Sequence, residues 1–573
     1  MLPVCRTPDD VYAIPPFEVT CHDVEGFLDE LHEFHTLFRD CFVRREPREH
    51  FFRSMVGQFS TLARKSIEPI AVQTEASSIR AMQRGISDAQ WQDERMLQTY
   101  HQQVAEEMGA PDGVLIVDES GFRKKGEDSV GVARQYCGNL GKVDNGQVGV
   151  FAAYASRQGY ALVDKRLFLP EQWWSDAYAR RRAQCDVPKE AVFHTKPQLA
   201  AEMVRGLHES GTLPFRSITA DCLYGNSPEF WAACEACVGT VAFVAVPEAT
   251  RCWLAPVATT TQSYPYKGKR RTKRVVTTPE TPLQSVAKLA QQIGPRSWYR
   301  RTVSEGTKGP IVYEFARKRV TLCKDDQPAQ TVWLVINRTL GAEPRYWYYI
   351  RNAPVSTPLR VLVWLSGVRW AIEQGFEETK TELGMAHYEL RKYTGWHHHM
   401  LTCMLAHFFL WHVKRRLGKK SPSAHGVAGE AVAGEGAALE NLYPGGGPPL
   451  GAMDAAAQSC GVSVASKKSA PRRLMDDPRS PLTGLGTAWQ GAIDVLDSND
   501  FRLNHNLIDI RRPIFLASEQ VSDGIWFGPT RTARHDGSVD NGSWGCAASW
   551  VSDAAVVKHM RACTRYAEHP ESR

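Results

Sequence analysis

The sequence lacks any run of about 18 consecutive apolar residues, the length that a membrane-spanning helix requires, so no membrane span is expected. Its first residues, MLPVCRTPDDVYAIPPF, include acidic side chains and lack the apolar stretch of a signal peptide. Cys234 and Cys237 form a C-x-x-C motif, but the sequence has no second cysteine pair at zinc-binding spacing. This argues against a structural zinc there. We therefore predict a cytoplasmic protein whose 14 cysteines are reduced thiols.

A strong excess of one charge is absent as well. The 573 residues include 69 Lys and Arg against 63 Asp and Glu, a net charge of +6. This balance permits nucleic acid as a partner without requiring it. The proportions of hydrophobic residues, 43%, and charged residues, 23%, are ordinary for a globular chain of several domains. The positions of the charged residues are therefore more informative than their number.

Hydrophobic periodicity divides the chain into five segments. The first segment is helical and either contacts DNA or supports the second segment. The second segment has the order strand, strand, strand, helix, strand, helix, strand, which is typical of an α/β fold. A β-rich insertion and a pair of helical segments follow, and the last segment, rich in Gly, Ala, Ser and Pro before its pattern fades, is predicted to be largely disordered. The predicted boundaries are 1–110, 111–248, 249–352, 353–417 and 418–573.

Three acidic residues lie where an α/β fold would bring them together. GVLIVDES is typical of a buried strand and places Asp118 at its end, and ITADCLYGN places Asp221 at the end of the fourth strand. Sites in open α/β sheets gather at strand ends. A late helix that packs across the same edge would add Glu373.

Clustered carboxylates raise one another's pKa unless a cation neutralises them. Carboxylate oxygens suit Mg²⁺, with Mn²⁺ as an alternative ion. Two such ions about 4 Å apart can activate an attacking oxygen and stabilise a leaving oxygen in phosphoryl transfer. The acids therefore predict a two-Mg²⁺ site held by Asp118, Asp221 and Glu373, with Glu377, one helical turn onward, as an alternative ligand.

Two cations flank the third acid in VRWAIEQGFEETKTELG. At about 100° per residue, Arg369, Glu373 and Lys380 share one stripe of a helix. The stripe is either a solvated face with an ion pair one turn apart or, beside a metal site, a set of cations for DNA phosphates.

Two basic stretches are further candidates for contact with DNA. KGKRRTKR, at 267–274, predicts either a solvated loop or a loop that contacts phosphates. FRKKG lies beside the first acid, where an exposed loop is the favoured interpretation. The candidate side chains are Lys124, Lys125, Lys269, Arg270 and Arg271.

Other polar and aromatic groups are better explained by packing. Trp298, Trp333 and Trp347 are candidates for stacking on an extruded base, but the core of the β-rich segment is favoured. The three histidines at 397–399 fan out by about 100° each on a helix, so they cannot share one ion and a structural role is favoured.

Three motifs resemble the insertion-sequence transposases of the DDE type: VDESGFRKKGEDSVGVARQYCGNLGKVDNGQVGVF, ADCLYGN and Arg369-x3-Glu373-x6-Lys380. The resemblance covers about residues 25–417. It implies an α/β fold, a ribonuclease-H-like mixed sheet flanked by helices, with a helical N-terminal domain and a β-rich insertion before the third acid.

The resemblance also assigns roles. The spacing around Glu373 is similar to the Tyr-Arg-Glu-Lys signature of one branch of these enzymes, which implies that Arg369 and Lys380 contact the DNA end. Ser366 stands where that signature has tyrosine. A serine hydroxyl can still donate to a phosphate, but this contact departs from the family's pattern.

The implied activity is metal-dependent cleavage at inverted-repeat ends and strand transfer into target DNA. The resemblance also implies a bacterial protein that acts as a homodimer in a synaptic complex and is associated with the nucleoid when bound to DNA. A hydrolytic nuclease on the same fold and an inactive DNA-binding remnant are alternatives; a two-carboxylate glycosidase would need neither the Arg-Lys stripe nor the basic stretch. Metal-dependent cleavage separates the enzymes from the remnant, and strand joining separates transposase from nuclease.

Overall fold

The structure is a computed structural model that describes residues 21–419, apart from 75, 77, 139–140, 268, 278–280 and 307–308. The terminal segment predicted to be disordered therefore lies, beyond Lys419, outside the described residues. No helix in the described part of the chain is both long enough and apolar enough to cross a membrane.

Helices make up the first part of the chain, as the periodicity predicts. They are α1 (Cys21–Thr36), α2 (Arg45–Gln58), α3 (Ile67–Gln73), α4 (Ile79–Ser87) and α5 (Asp93–Met108). Their apolar faces bury Phe38, Phe51 and Met55 completely. Trp91 stacks on His398 from the far end of the described chain, with ring centroids 3.9 Å apart. The N-terminal helices therefore share a core with the rest of the protein, and the predicted domain boundaries remain predictions.

An α/β unit follows. Its elements are β1 (Val114–Arg123), β2 (Ala133–Cys137), β3 (Lys142–Ser156), β4 (Gly159–Phe168), α6 (Ala179–Gln184), α7 (Lys196–Ser210), β5 (Ser217–Ala220), α8 (Cys222–Gly225), α9 (Pro228–Ala236) and β6 (Val241–Val246). Strand β1 pairs antiparallel with β3 and parallel with β5, and β5 pairs parallel with β6. This mixed sheet, with helices packed against it, is the predicted ribonuclease-H-like arrangement.

Local signals set the helix ends in this unit. Thr195 and Gln198 form a capping box at the start of α7, and Gly211 ends it in a left-handed conformation at φ 63°. Ser227 caps α9, its hydroxyl accepting from the backbone N–H of Phe230, and Pro228 takes the first helical position. All three helix ends are therefore set by residues that lie next to them in the sequence.

The β-rich segment extends the same sheet. It contains β7 (Arg251–Leu254), β8 (Thr259–Tyr266), β9 (Lys269–Val276), β10 (Gln284–Ser285), α10 (Val286–Gln291), β11 (Tyr299–Gly306), β12 (Gly309–Lys324), β13 (Gln327–Thr339) and β14 (Tyr346–Arg351). The order β10-β7-β12-β13-β14-β6-β5-β1-β3-β2 joins the insertion to the α/β unit, because β14 pairs with β6 and covers an otherwise open edge. Only β8 and β9, among the described strands, form a separate sheet.

Three helices complete the described chain: α11 (Leu359–Val368), α12 (Trp370–Thr381) and α13 (Tyr393–Lys419). The predicted single helix through Arg369 is in fact two helices, because the chain turns at Arg369 before α12 begins. A buried carboxylate locates α12: Glu378 accepts hydrogen bonds from Tyr160 of β4 and Gln374, both at 3.0 Å, and lies 2.7 Å from His407 of α13.

An ion-pair cluster joins α13 to the first and last N-terminal helices. The two ring nitrogens of His412 lie 2.6 Å from Glu107 and 3.1 Å from Glu30, so both donate when the ring is protonated. Arg416 also donates to Glu30, at 2.7 Å. Hydrogen bonds to Glu107 and then to Glu30 raise the pKa of His412 to about 9.

This shift predicts a pH-dependent stability. A raised pKa means that the stabilisation is complete below the ordinary value of 6.5 and is lost as the pH rises through about 9. We expect the free energy of unfolding of the wild-type protein to exceed that of His412→Gln at pH 6 and this excess to shrink by pH 10. Denaturant titrations of both proteins at the two pH values measure it, and a constant excess would contradict the assignment.

Candidate active site

Adjacent parallel strands bring the first two acids together. Val117 of β1 is the register partner of Ala220 of β5, and Asp118 and Asp221 follow them directly. Both side chains belong to buried residues, 2% and 7% exposed. The first strand does not end at Asp118, as the sequence predicted. Strand β1 continues to Arg123 because its other edge stays paired with β3. Asp118 therefore lies within a strand, beside the point where β5 stops.

Asp221 also has a structural task. Its Oδ1 accepts hydrogen bonds from the backbone N–H groups of Leu223 at 2.9 Å and Tyr224 at 3.4 Å, capping the short helix α8. The cap fixes the carboxylate at the strand end. This structural role at the start of α8 is compatible with the predicted catalytic role of Asp221.

Arg369 links the first acid to the third. Its guanidinium donates to Asp118 Oδ2 at 2.9 Å and lies 2.6 Å from Glu373 Oε1. Burial alone would lower the pKa of Arg369, but the charges of Glu373 and Asp118, with a smaller contribution from Asp221, outweigh it and raise the pKa. The cation expected to face DNA phosphate is bound, in this structure, to the carboxylates.

This contact also separates Glu373 from its alternative. Glu373 is partly buried beside Arg369, whereas the side chain of Glu377 is exposed. The geometry around Arg369 therefore favours Glu373 as the third acid of the site.

The donor set fits a divalent cation in chemistry and in charge. Asp118, Asp221 and Glu373 offer hard oxygens, and with one guanidinium their formal charge is two negative. Within the described residues, however, no three His, Cys, Asp or Glu side chains are grouped tightly enough to hold an ion. The guanidinium of Arg369 already binds one oxygen of Asp118 and one of Glu373.

The remaining member of the stripe, Lys380 of α12, is half-buried against β1. Lys380 donates to the carbonyl of Gly121 at 3.1 Å and lies 5.0 Å from the ring centroid of Phe122. Burial lowers the pKa of Lys380 to about 7. A nearby phosphate would favour its charged form, and its contact with DNA stays a prediction.

The other predicted DNA contacts are divided between internal and exposed positions. Lys124 donates to the carbonyl of Tyr388 at 2.8 Å and lies over its ring, and burial lowers its pKa to about 7. Lys125 is exposed. Ser366 donates to the carbonyl of Val363 within α11, at 2.7 Å. The remaining three, Lys269, Arg270 and Arg271, lie exposed on β9 rather than in the loop that the sequence suggested.

The tryptophans and histidines mostly pack internally. Trp333 is buried and Trp298 lies under the guanidinium of Arg338 at 4.0 Å. Trp347 is half-buried beside Tyr313, with ring centroids 5.3 Å apart. The histidines at 397–399 are all buried in α13.

Sequence reasoning missed two neighbours of the acids. Lys196, next to the cap of α7, donates to Glu119 at 2.8 Å. Tyr224 is completely buried, and its pKa is raised well above the usual range, first by burial and then by Glu119, Asp221 and Asp118. The position of Tyr224 in ADCLYGN was the available signal, but burial of its hydroxyl is a tertiary property.

Comparison with known proteins relates the chain to DNA-processing enzymes. Residues 37–310, which include Asp118 and Asp221, match the family model of the DDE superfamily endonucleases. This part of the chain is similar to the DDE endonucleases. The DDE superfamily works with divalent metal ions, and the prediction of a DDE-type enzyme is confirmed.

Two individual proteins are similar to this DDE chain. A probable transposase for insertion sequence element IS701 from Microchaete diplosiphon is 24% identical over 369 residues, 64% of this chain and 82% of the relative. The cryo-EM structure of a piggyBac transposase synaptic complex with hairpin DNA aligns over 75% of this chain and 84% of its own, at 9% identity and a TM-score of 0.31.

Competition between Arg369 and a divalent ion gives a direct prediction. We expect Arg369→Gln to bind Mn²⁺ roughly tenfold more tightly than the wild type, because one positive charge leaves the carboxylates. Titration of the DNA-free protein, followed by the electron paramagnetic resonance signal of free Mn²⁺, measures the affinity.

Two variants control this experiment. Arg369→Lys keeps the charge and should gain little affinity, and Arg360→Gln removes an exposed arginine of α11 and should gain none. Thermal unfolding establishes that each variant is folded. Equal Mn²⁺ affinity in folded Arg369→Gln and wild type would show that the guanidinium and the ion do not compete.

Proposed function

We propose that the protein is a DNA transposase that cuts DNA at the inverted-repeat ends of a mobile element and joins those ends to target DNA. The observation that carries this proposal is the Arg369 bridge, which gathers Asp118 of β1 and Glu373 of α12 beside Asp221. The DDE domain and the IS701 relative support the same reaction class.

Asp118, Asp221 and Glu373 would hold Mg²⁺, with Mn²⁺ as a substitute. When bound, two such ions supply an activated attacking oxygen and stabilise the leaving oxygen. The chain then needs no nucleophile of its own. Its tasks are to place the acids, to exclude competing cations and to orient the phosphate.

Arg369 is suited to the orienting task. A guanidinium forms two parallel hydrogen bonds with a carboxylate or a phosphate. It can therefore exchange the oxygens of Asp118 and Glu373 for those of a DNA end. Lys380, with a pKa near neutrality, would gain its full charge as the phosphate approaches.

The assembly is also part of the proposal. The two ends of one element and the target DNA must come together. A homodimer in a synaptic complex satisfies this requirement. Such a protein would associate with the bacterial nucleoid when bound to DNA.

Cleavage and joining test the proposal. The substrate is duplex DNA carrying the repeats that flank the gene, with Mg²⁺ and then with EDTA. We expect Asp221→Ala to lower cleavage by on the order of a thousandfold or more, because the site loses a carboxylate that holds the ions. Asp176→Ala, at an exposed position, should cleave as the wild type does.

Each other outcome identifies a different protein. Cleavage without joining would indicate a hydrolytic nuclease. Binding without cleavage by a demonstrably folded chain would indicate an inactive remnant. Cleavage that survives EDTA would refute the metal-dependent site.

A further inference from the structure

The β-rich segment carries an acid-free basic ribbon, formed by β8 and β9. Between Ala249 and Pro279 the sequence contains seven Lys and Arg residues and no Asp or Glu. The residues from Lys269 to Arg274 are all exposed. This concentration contrasts with the even balance of charge in the whole chain.

Both faces of the ribbon are cationic. Side chains alternate along a strand, so Lys269, Arg271 and Lys273 lie on one face, and Arg270 and Arg274 lie on the other. The cross-strand partners on β8 are uncharged, such as Tyr264 opposite Arg271 and Gln262 opposite Lys273.

Some arginines elsewhere in the segment have acidic partners. Arg251 pairs with Asp326, and Arg300 lies 3.3 Å from Glu314. Neither strand of the ribbon contains an Asp or a Glu. The ribbon is therefore a surface that suits an external polyanion.

The ribbon is anchored at one end. The backbone N–H of Arg274 donates to Gln327 at the start of β13, at 2.9 Å, and its guanidinium donates to Thr259 at 3.2 Å. Eight residues of β9 span about 25 Å, so the end near Lys269 projects from that anchor. A two-stranded ribbon is only marginally stable by itself, and the anchor sets its direction.

We infer that this ribbon docks edge-on in the major groove of duplex DNA, with each cationic face toward one phosphate backbone; DNA as the partner rests on the proposed function. The major groove, about 12 Å wide, admits a two-stranded ribbon, whereas the minor groove of about 6 Å does not. A ribbon lying flat on DNA would need cations on one face only. Cations on both faces match a groove with phosphates on both sides.

Three double variants of the full chain test the inference. Lys269→Gln/Lys273→Gln removes two charges from one face and Arg270→Gln/Arg274→Gln removes two from the other. Lys288→Gln/Arg296→Gln removes two exposed charges outside the ribbon as the matched control. The probe is a fluorescein-labelled duplex of arbitrary sequence, three helical turns long, titrated by anisotropy at several salt concentrations.

We expect each ribbon variant to lower the magnitude of the salt slope, log K against log salt, by about two, since each lost phosphate contact removes about 0.9. The control should keep the wild-type slope. Methylation of guanine N7, which lies in the major groove, should weaken binding of the wild type and not of the ribbon variants.

Loss on one face only would mean that the ribbon lies flat, and loss on neither face would mean a solvated surface; either result overturns the inference. An equal loss of single-strand binding would overturn it too, because a single strand has no groove. Cleavage of the flanking repeats is measured separately on the same proteins. If the wild type cleaves and the ribbon variants bind DNA normally, only the docking of the ribbon is refuted. If the wild type binds DNA through the ribbon but does not cleave it, only the proposed function is refuted.

Discussion

The site depends on one buried cation. Carboxylates in a protein interior are costly unless they are paired, and Asp118, Asp221 and Glu373 come from two strands and a helix that the chain separates widely. Arg369 lies at the turn between α11 and α12 and binds the first and third acids at once. The same contact neutralises part of the site and fixes the start of α12. Its loss would therefore affect both the electrostatics of the acids and the position of Glu373.

The far end of α12 is held by the N-terminal helical region. The ammonium group of Lys65 donates to the carbonyls of Gln58, at 2.8 Å, and of Glu382, which follows α12. Burial lowers the pKa of Lys65 to about 8. With Glu378 buried between β4 and α13, α12 is restrained at its end and along its length. Of the two interpretations of residues 1–110, these contacts favour a region that supports the next domain.

The placement of Asp118 and Asp221 on adjacent strands can be predicted from the sequence because it depends on short-range patterns. The apolar run before VDES and the short strand that leads into ADCLYGN are local features, and the parallel pairing of β1 with β5 follows from the α/β order. Three other features depend on tertiary contacts, which no local pattern reveals. From the sequence, the turn at Arg369 looks like an unbroken helix, and Lys380, packed against β1, looks like a solvated lysine. The segment that β14 joins to β6 looks like a separate domain. The stretch at 267–274 has loop composition, yet its cross-strand pairing with β8 makes it a ribbon.

Charge explains why a docking surface outside the site is useful. Three carboxylates and one guanidinium leave the site formally negative, so it repels DNA phosphates until divalent ions bind. Lys124 and Lys380 add little attraction at a distance, since both are half-buried and have pKa values of about 7. The charges of exposed groups are screened beyond about 10 Å at ordinary salt, so initial attraction must come from cations that project from the surface. The β8–β9 ribbon has such cations on both faces. The end phosphate of DNA captured there could then replace a carboxylate as the partner of Arg369.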